Sequence, residues 1–133
     1  MSKALVIKSI PENLRKVEKF VDEISEELSL SDEIYGNLLI ATLEAVNNAI
    51  VHGNKQNPEL DVQISCNKIN DKVFLVITDQ GTGFDYTNIP DPTAPENLEK
   101  INGRGVFLME RLSDGVEFFR NGAEIKLTFN TAV

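Results

Sequence analysis

Leu5, Ile7 and Ile10 alternate with Val6, Lys8 and Ser9, a period of two that predicts a short first strand ended by Pro11. Pro11 with Glu12 then suits a helix start, and Leu14, Val17, Phe20, Val21, Ile24 and Leu28 recur at helical spacing through about residue 29. The other face of that helix is Lys and Glu, so it covers a core from one side. Ser31 is a good N-cap with Asp32 and Glu33 behind it in the first turn, and a second helix runs from Ile34 to about His52, where Gly53-Asn54 stops it. From Leu38 to Val51 this helix is apolar or small almost throughout, except at Thr42, Glu44, Asn47 and Asn48. Such a segment is buried on most sides, and its few polar groups need partners.

After the break at Asn57-Pro58, Leu60, Val62, Ile64 and Cys66 form one strand and Val73 to Thr78 another, joined at Asn70-Asp71 as a hairpin. Residues Phe84 to Asn102 hold Pro90, Pro92 and Pro95 without a sustained period, which predicts a functional loop or lid, with room for a short helix near Pro95–Lys100. A third helix follows from about Gly105 through Phe107, Leu108, Met109 and Leu112. Two last strands, about Gly115 to Arg120 and Glu124 to Phe129, turn at Asn121-Gly122. The order strand, two helices, hairpin, lid, helix, hairpin predicts an α+β two-layer sandwich, its mainly antiparallel or mixed sheet covered on one face by three helices.

With 133 residues the expectation is one domain, 1–133, able to bury a core without metal or disulfide. The single cysteine, Cys66, sits in an alternating strand and reads as a small buried side chain. The first ten residues lack the apolar core of a signal peptide, and no later stretch reaches the roughly 20 apolar residues of a membrane span. A soluble, cytoplasmic chain with no membrane partner is therefore expected. A net charge of −8 argues against direct nucleic-acid binding, which needs Lys and Arg to displace counterions. It also means that a polyanionic ligand would need local donors and a divalent cation to offset the field of the chain.

Three segments carry candidate chemistry. In Glu44-Ala-Val-Asn-Asn48, residues four apart share a helix face, so the Glu44 carboxylate and the Asn48 amide converge, with Asn47 nearby. On an ordinary helix this is a solvated hydrogen-bonded pair; inside an apolar one the two groups need something to engage them. Both supply hard oxygen of the kind Mg²⁺ accepts while it takes the rest of its shell from water and phosphates. In Asp79-Gln-Gly-Thr-Gly83 a carboxylate at a strand end can accept from an exocyclic amine such as that of adenine. Gly81 and Gly83 there allow positive φ and close approach to a flat ligand. Gly103-Arg-Gly105 at a helix start offers free N–H groups and a positive dipole end to phosphate, with Arg104 as a clamp. Neither Gly-x-x-x-x-Gly-Lys-Ser/Thr nor an early Gly-x-Gly-x-x-Gly occurs. His52, the only histidine, ends the second helix and reads as a packing group or a C-terminal imidazolium.

Together the three segments resemble the N box and the two glycine boxes of the GHKL ATP-binding superfamily, the Bergerat fold, over nearly the whole chain. The run Glu-Ala-Val-Asn-Asn-Ala-Ile-Val-His-Gly ending at Gly53 and Gly-Arg-Gly-Val-Phe-Leu-Met at 103–109 are most similar to the anti-sigma-factor serine/threonine kinases. The resemblance implies ATP and Mg²⁺ as cofactors, with Asn48 holding the metal, Asp79 reading the adenine amine, and Gly81 and Gly83 forming the pocket wall. Gly103, Arg104 and Gly105 would close over the phosphates, and Glu44 would be the catalytic base. The implied partners are an anti-sigma-factor antagonist, phosphorylated on serine or threonine, and a sigma factor. Apolar side chains on the first strand and first helix are candidates for sealing a homodimer. Two departures motivate an alternative, a nucleotide-gated binding module with little or no phosphotransfer. Ala123 and Glu124 follow Gly122 where the family often has a Gly-Thr hydroxyl, and the lid carries little Lys or Arg before Lys100 and Arg104.

Overall fold

A computed structural model of the chain describes residues 1–81 and 101–131, with residues 101–103 described by backbone alone. In chain order the elements are β1 (Ser2–Lys8), α1 (Leu14–Leu28), α2 (Asp32–Asn48), β2 (Asp61–Ile69), β3 (Lys72–Thr78), α3 (Ile101–Leu112), β4 (Gly115–Phe119) and β5 (Glu124–Asn130). The five strands form one sheet in the order β1-β2-β3-β5-β4, every neighbouring pair antiparallel. The α+β expectation is met, and the sheet is antiparallel rather than mixed.

Alternation along the strands sends one set of side chains into the core. Ile7, Val62, Ile64, Cys66, Val73, Leu75, Ile77, Ile125, Leu127 and Phe129 are buried against Val17, Phe20, Val21 and Ile24 of α1, Leu38, Ala41, Ala45 and Val46 of α2, and Val106 and Met109 of α3. Cys66 is packed among them, and burial pushes its thiol up to about 11, so it behaves as an inert apolar group. Val17, Phe20, Val21 and Ile24 of α1 are thus taken up by the core of the chain itself, while Leu14 and Leu28 are partly buried against it. On β1, Val6 remains exposed on the other face of the sheet.

Boundaries differ from expectation for identifiable reasons. β1 ends at Lys8, not near Ile10, because both the N–H and the hydroxyl of Ser9 turn to the Leu60 carbonyl, at 3.1 and 2.8 Å. A single 3₁₀ turn, Pro11–Asn13, then precedes α1. Ser31 caps α2 as expected, its hydroxyl accepting from the Ile34 N–H at 3.2 Å. The predicted second helix is divided: after Asn48 the chain widens into a π turn, Ala49–Gly53, closed by the Asn54 N–H on the Ala49 carbonyl at 2.8 Å. α3 covers Ile101–Leu112, so the helix already includes the residues before Gly105: no proline lies between them, and the helix tolerates Gly103. Asn102 is therefore helical. The remainder of the predicted lid, 84–100, and the short helix near Pro95–Lys100 lie outside the described residues.

The last two strands turn at Asn121-Gly122 as the sequence predicts, but the connection is four residues long, 120–123, because pairing stops at Phe119 with Glu124 and Arg120 also takes positive φ, 52°. Asn121 and Gly122 take φ of 59° and 89°, and the Ala123 N–H reaches the Arg120 carbonyl at 3.2 Å. Among the described residues one helical stretch, Asp32–Gly53, has the length and hydropathy of a membrane span. It carries Asp32, Glu33, Glu44, Asn47 and Asn48 and packs against α1, α3 and the sheet, as the core helix of a two-layer fold does.

Leu75 lies fully buried at the middle of the central strand. Leu75→Ala is expected to cost about 3 kcal/mol, read as a lower urea midpoint with an unchanged slope.

Candidate functional site

The C-terminal half of α2 supplies the first half of the site. Glu44 and Asn48 lie one turn apart on the face that meets α3, and the point of contact on α3 is Gly105. A Cβ built there would lie 3.1 Å from Glu44 Oε2 and 3.3 Å from both amide atoms of Asn48. Glycine at 105 is thus required by close approach of the two helices over these polar groups. Asn48 is 1% exposed, and among the described residues neither its Nδ2 nor its Oδ1 has a hydrogen-bond partner. A buried amide left in this state costs on the order of 1–3 kcal/mol, so the position marks a group held ready for something else. The Glu44 side chain is largely buried, and the more exposed Arg104 places its Nη2 3.9 Å from Glu44 Oε1. Gly103 and Gly105 both lie within α3.

The second half is built around Asp79, immediately after β3. Its N–H donates to the Ala123 carbonyl at 2.8 Å, and its Oδ1 accepts from the Gly81 N–H at 2.8 Å. It is 3% exposed. Desolvation raises its pKa above the usual carboxylate range, while the Gly81 N–H and the positive charge of Arg120 pull it part of the way back. Gly81 does not adopt positive φ, contrary to the expectation from its sequence. It is needed because a Cβ there would collide with the Gly53 carbonyl. Gly53 in turn lies so close to Asp79 that a Cβ would overlap the carboxylate. The π turn therefore joins the two halves: Asn48 precedes it, and Gly53 ends it against Asp79.

Gly83 lies outside the described residues. The structure thus brings Glu44, Asn48, Arg104 and Gly105 together, and Asp79 with Gly81. It adds Gly53, Asn54 and Arg120, which the sequence had shown only as a helix stop and a turn flank. His52 is pushed below its ordinary pKa by burial, so it is a neutral packing group rather than an imidazolium at a helix end.

A residue set for Mg²⁺ and nucleotide can be tested against this geometry. Among the described residues no three His, Cys, Asp or Glu side chains cluster as a self-sufficient metal site. An Mg²⁺ here would take an oxygen from Asn48 and the remainder from phosphates and water, a donor set suited to that ion. The partnerless amide of Asn48, with the Glu44 carboxylate beside it, fits such a group.

The fold and the site define a class. The chain matches the histidine kinase-like ATPase domain family over residues 7–129, and it belongs to that family. Among similar curated proteins are two named serine-protein kinase RsbW. The one from Staphylococcus epidermidis is 38% identical over 88 residues, 61% of this chain and 55% of that protein. The one from Staphylococcus aureus strain JH9 is 35% identical over 97 residues, 67% of this chain and 61% of that protein. The chain thus matches between 55% and 61% of the length of these relatives. A crystal structure of the RsbU and RsbW domains of Rv1364c from Mycobacterium tuberculosis superposes with a TM-score of 0.72 at 13% identity, covering 98% of this chain and 32% of that one. That likeness establishes the shared fold.

Two outcomes follow from the Asp79 pocket. Gly53→Ala should destabilise by about 2 kcal/mol or more, read by urea unfolding, since neither the carboxylate nor the Gly81 backbone has room to retreat. Because the folded pKa of Asp79 is raised, the ionised carboxylate weakens the free protein at neutral pH. Its contribution to stability is fully present below about pH 4 and is lost as pH rises through the folded pKa. Asp79→Asn should therefore raise the Tm of the free protein by a few degrees at pH 7, with the gain vanishing toward about pH 4 in thermal scans.

Proposed function

We propose that this chain is an ATP-dependent serine/threonine protein kinase of the anti-sigma-factor type. The observation that carries the reading is Asn48, a buried amide without a partner among the described residues, set beside the Glu44 carboxylate and under Gly105. The family match and the kinase relatives support it. Asp79, with Oδ1 committed to Gly81, offers its second oxygen to the exocyclic amine of adenine; Gly81 stands beside it, and the resemblance assigns Gly83 to the same wall. Gly103, Arg104 and Gly105 serve the phosphates, with N–H groups at the start of α3 and a guanidinium as charged clamp. Asn48 would hold Mg²⁺. The ion, when bound, would supply neutralisation of charge on the β- and γ-phosphate oxygens.

Glu44 is the proton acceptor. As the serine hydroxyl oxygen forms its bond to the γ-phosphorus and the bond to the ADP oxygen breaks, the hydroxyl proton passes to the Glu44 carboxylate. In the free protein that carboxylate has Arg104 as its neighbour. Recruitment of Arg104 to phosphate would leave Glu44 open to the hydroxyl. The acceptor is a serine or threonine of an anti-sigma-factor antagonist, and a sigma factor is the partner held in alternation with it, in a cytoplasmic setting. Both proteins would bind an acidic chain through basic surfaces of their own.

A second reading, a nucleotide-gated binding module with little phosphotransfer, draws on Ala123. This residue meets Asp79 through its backbone carbonyl and has no hydroxyl to offer the nucleotide. Retention of Glu44 favours the kinase, because a binder has less use for a base.

Incubation with labelled ATP, Mg²⁺ and a candidate antagonist separates the two readings. Glu44→Ala is expected to keep ATP affinity within a few-fold and to lose on the order of 10²–10⁴ in transfer. Asn48→Ala should instead weaken magnesium-dependent binding itself. Equal transfer by the wild type and both variants would refute the assigned roles.

A further inference from the structure

Asn54 closes the π turn and is 2% exposed, yet every polar atom of its side chain is engaged. Nδ2 donates to Ser9 Oγ at 2.7 Å and to the Asp61 carbonyl at 2.9 Å, and Oδ1 accepts from the Gln80 N–H at 2.8 Å. Its own N–H closes the π turn on Ala49. One side chain thus ties the end of the α2 segment to the exit of β1, the entry of β2 and the exit of β3. The contacts around it are themselves supported. The Ser9 hydroxyl continues to the Leu60 carbonyl, and Gln80 Oε1 accepts from the Asp61 N–H at 2.6 Å.

The consequence falls on Asp79. The Asp79 N–H is fixed by Ala123, and the next N–H along the chain, that of Gln80, is fixed by Asn54. The two peptide planes that flank the Asp79 Cα are therefore held, the first by the Ala123 carbonyl and the second by Asn54 at the close of the π turn. With both planes set, and the Asp79–Gln80 plane by Asn54 alone, the Gly81 N–H can reach Asp79 Oδ1 and leave the other carboxylate oxygen in one orientation. Loss of the Gln80 tie would let the plane rotate, and Gly81 would be released with it, because its backbone rests against Gly53 next to Asn54. A fully satisfied buried network of this kind gives precision that a loop lacks by itself.

We infer that Asn54 is a positioning residue for base recognition: through the Gln80 N–H it fixes the orientation in which Asp79 meets the exocyclic amine of an adenine nucleotide. The inference rests on the reading of Asp79 given above. It assigns to Asn54 a role separable from general stability, because only one of its three side-chain bonds acts on the recognition loop.

The test compares the affinities of ATP and purine riboside triphosphate, which lacks the 6-amino group, by calorimetry with Mg²⁺. The wild type should prefer ATP by about tenfold. Asn54→Ala should reduce that preference to about twofold or less, mostly through weaker ATP binding. Asn54→Asp keeps an acceptor for Gln80 and should retain the preference. Ser9→Ala leaves the Gln80 tie intact and should retain it too, even where it lowers the Tm. Should Asn54→Ala fail to fold, Asn54→Leu, closer in volume, takes its place. A folded Asn54→Ala or Asn54→Leu with the wild-type preference overturns the inference, as does an Asn54→Asp protein that loses the preference as fully as alanine. A wild type that binds ATP without favouring the 6-amino group removes the role of Asp79 and the inference with it. A wild type that binds neither nucleotide removes the functional reading as a whole.

Discussion

Burial of a helix that still carries polar side chains is the constraint from which the rest of the structure follows. α2 lies against the sheet with α1 and α3 beside it, so Thr42 and Asn48 are taken out of water and Glu44 is partly so. In an ordinary core such positions would be apolar, since an unpartnered amide or hydroxyl costs more than a methyl gains. The chain accepts that cost at the end of α2 that meets the first turns of α3. The chain belongs to the histidine kinase-like ATPase domain family, and the unmet amide of Asn48 is where this framework gives up stability.

Close backbone approach then determines the shape of the site. Gly105 lets α3 settle on Glu44 and Asn48, while Gly53 and Gly81 lie against each other and against Asp79. At 53 and 81 the need is space rather than an unusual backbone angle, since neither takes positive φ. The π turn between Asn48 and Gly53 is the device that brings these contacts into register. The wider turn alters the direction in which the chain leaves α2, so that Gly53 and Asn54 meet the ends of the strands. Asp79 is then enclosed from both sides and loses water, which is the origin of its raised pKa.

Much of this was legible in the sequence where the determining signal is local. The Ser31 cap depends on a residue three positions away, the Asn121-Gly122 turn on its own two residues, and the facing of Glu44 and Asn48 on helical spacing. The strand alternation gave the core face for the same reason. What could not be read depends on distant partners. Asn54 looked like a helix stop because Ser9 and Gln80 are 45 and 26 residues away and nothing in the spacing points to them. Gly81 was assigned a backbone angle because its actual neighbour, Gly53, approaches from another element. Gly103-Arg104-Gly105 looks like a helix boundary in the sequence, although α3 runs through both glycines. Burial likewise decided His52, whose neutral state depends on packing that its position at a helix end does not reveal.

The strand order has a consequence for how the chain matures. β3 is central, and its outer neighbour β5 is the last strand in the sequence, so the carbonyl that holds the Asp79 N–H belongs to Ala123. A nascent polypeptide leaving the ribosome has α2, the π turn and the β2–β3 hairpin available long before that carbonyl emerges. The cavity cannot acquire its final geometry until residues 123–130 have emerged, because closing it joins segments far apart in sequence. Truncated or stalled products, lacking β5, would then be born without a competent pocket.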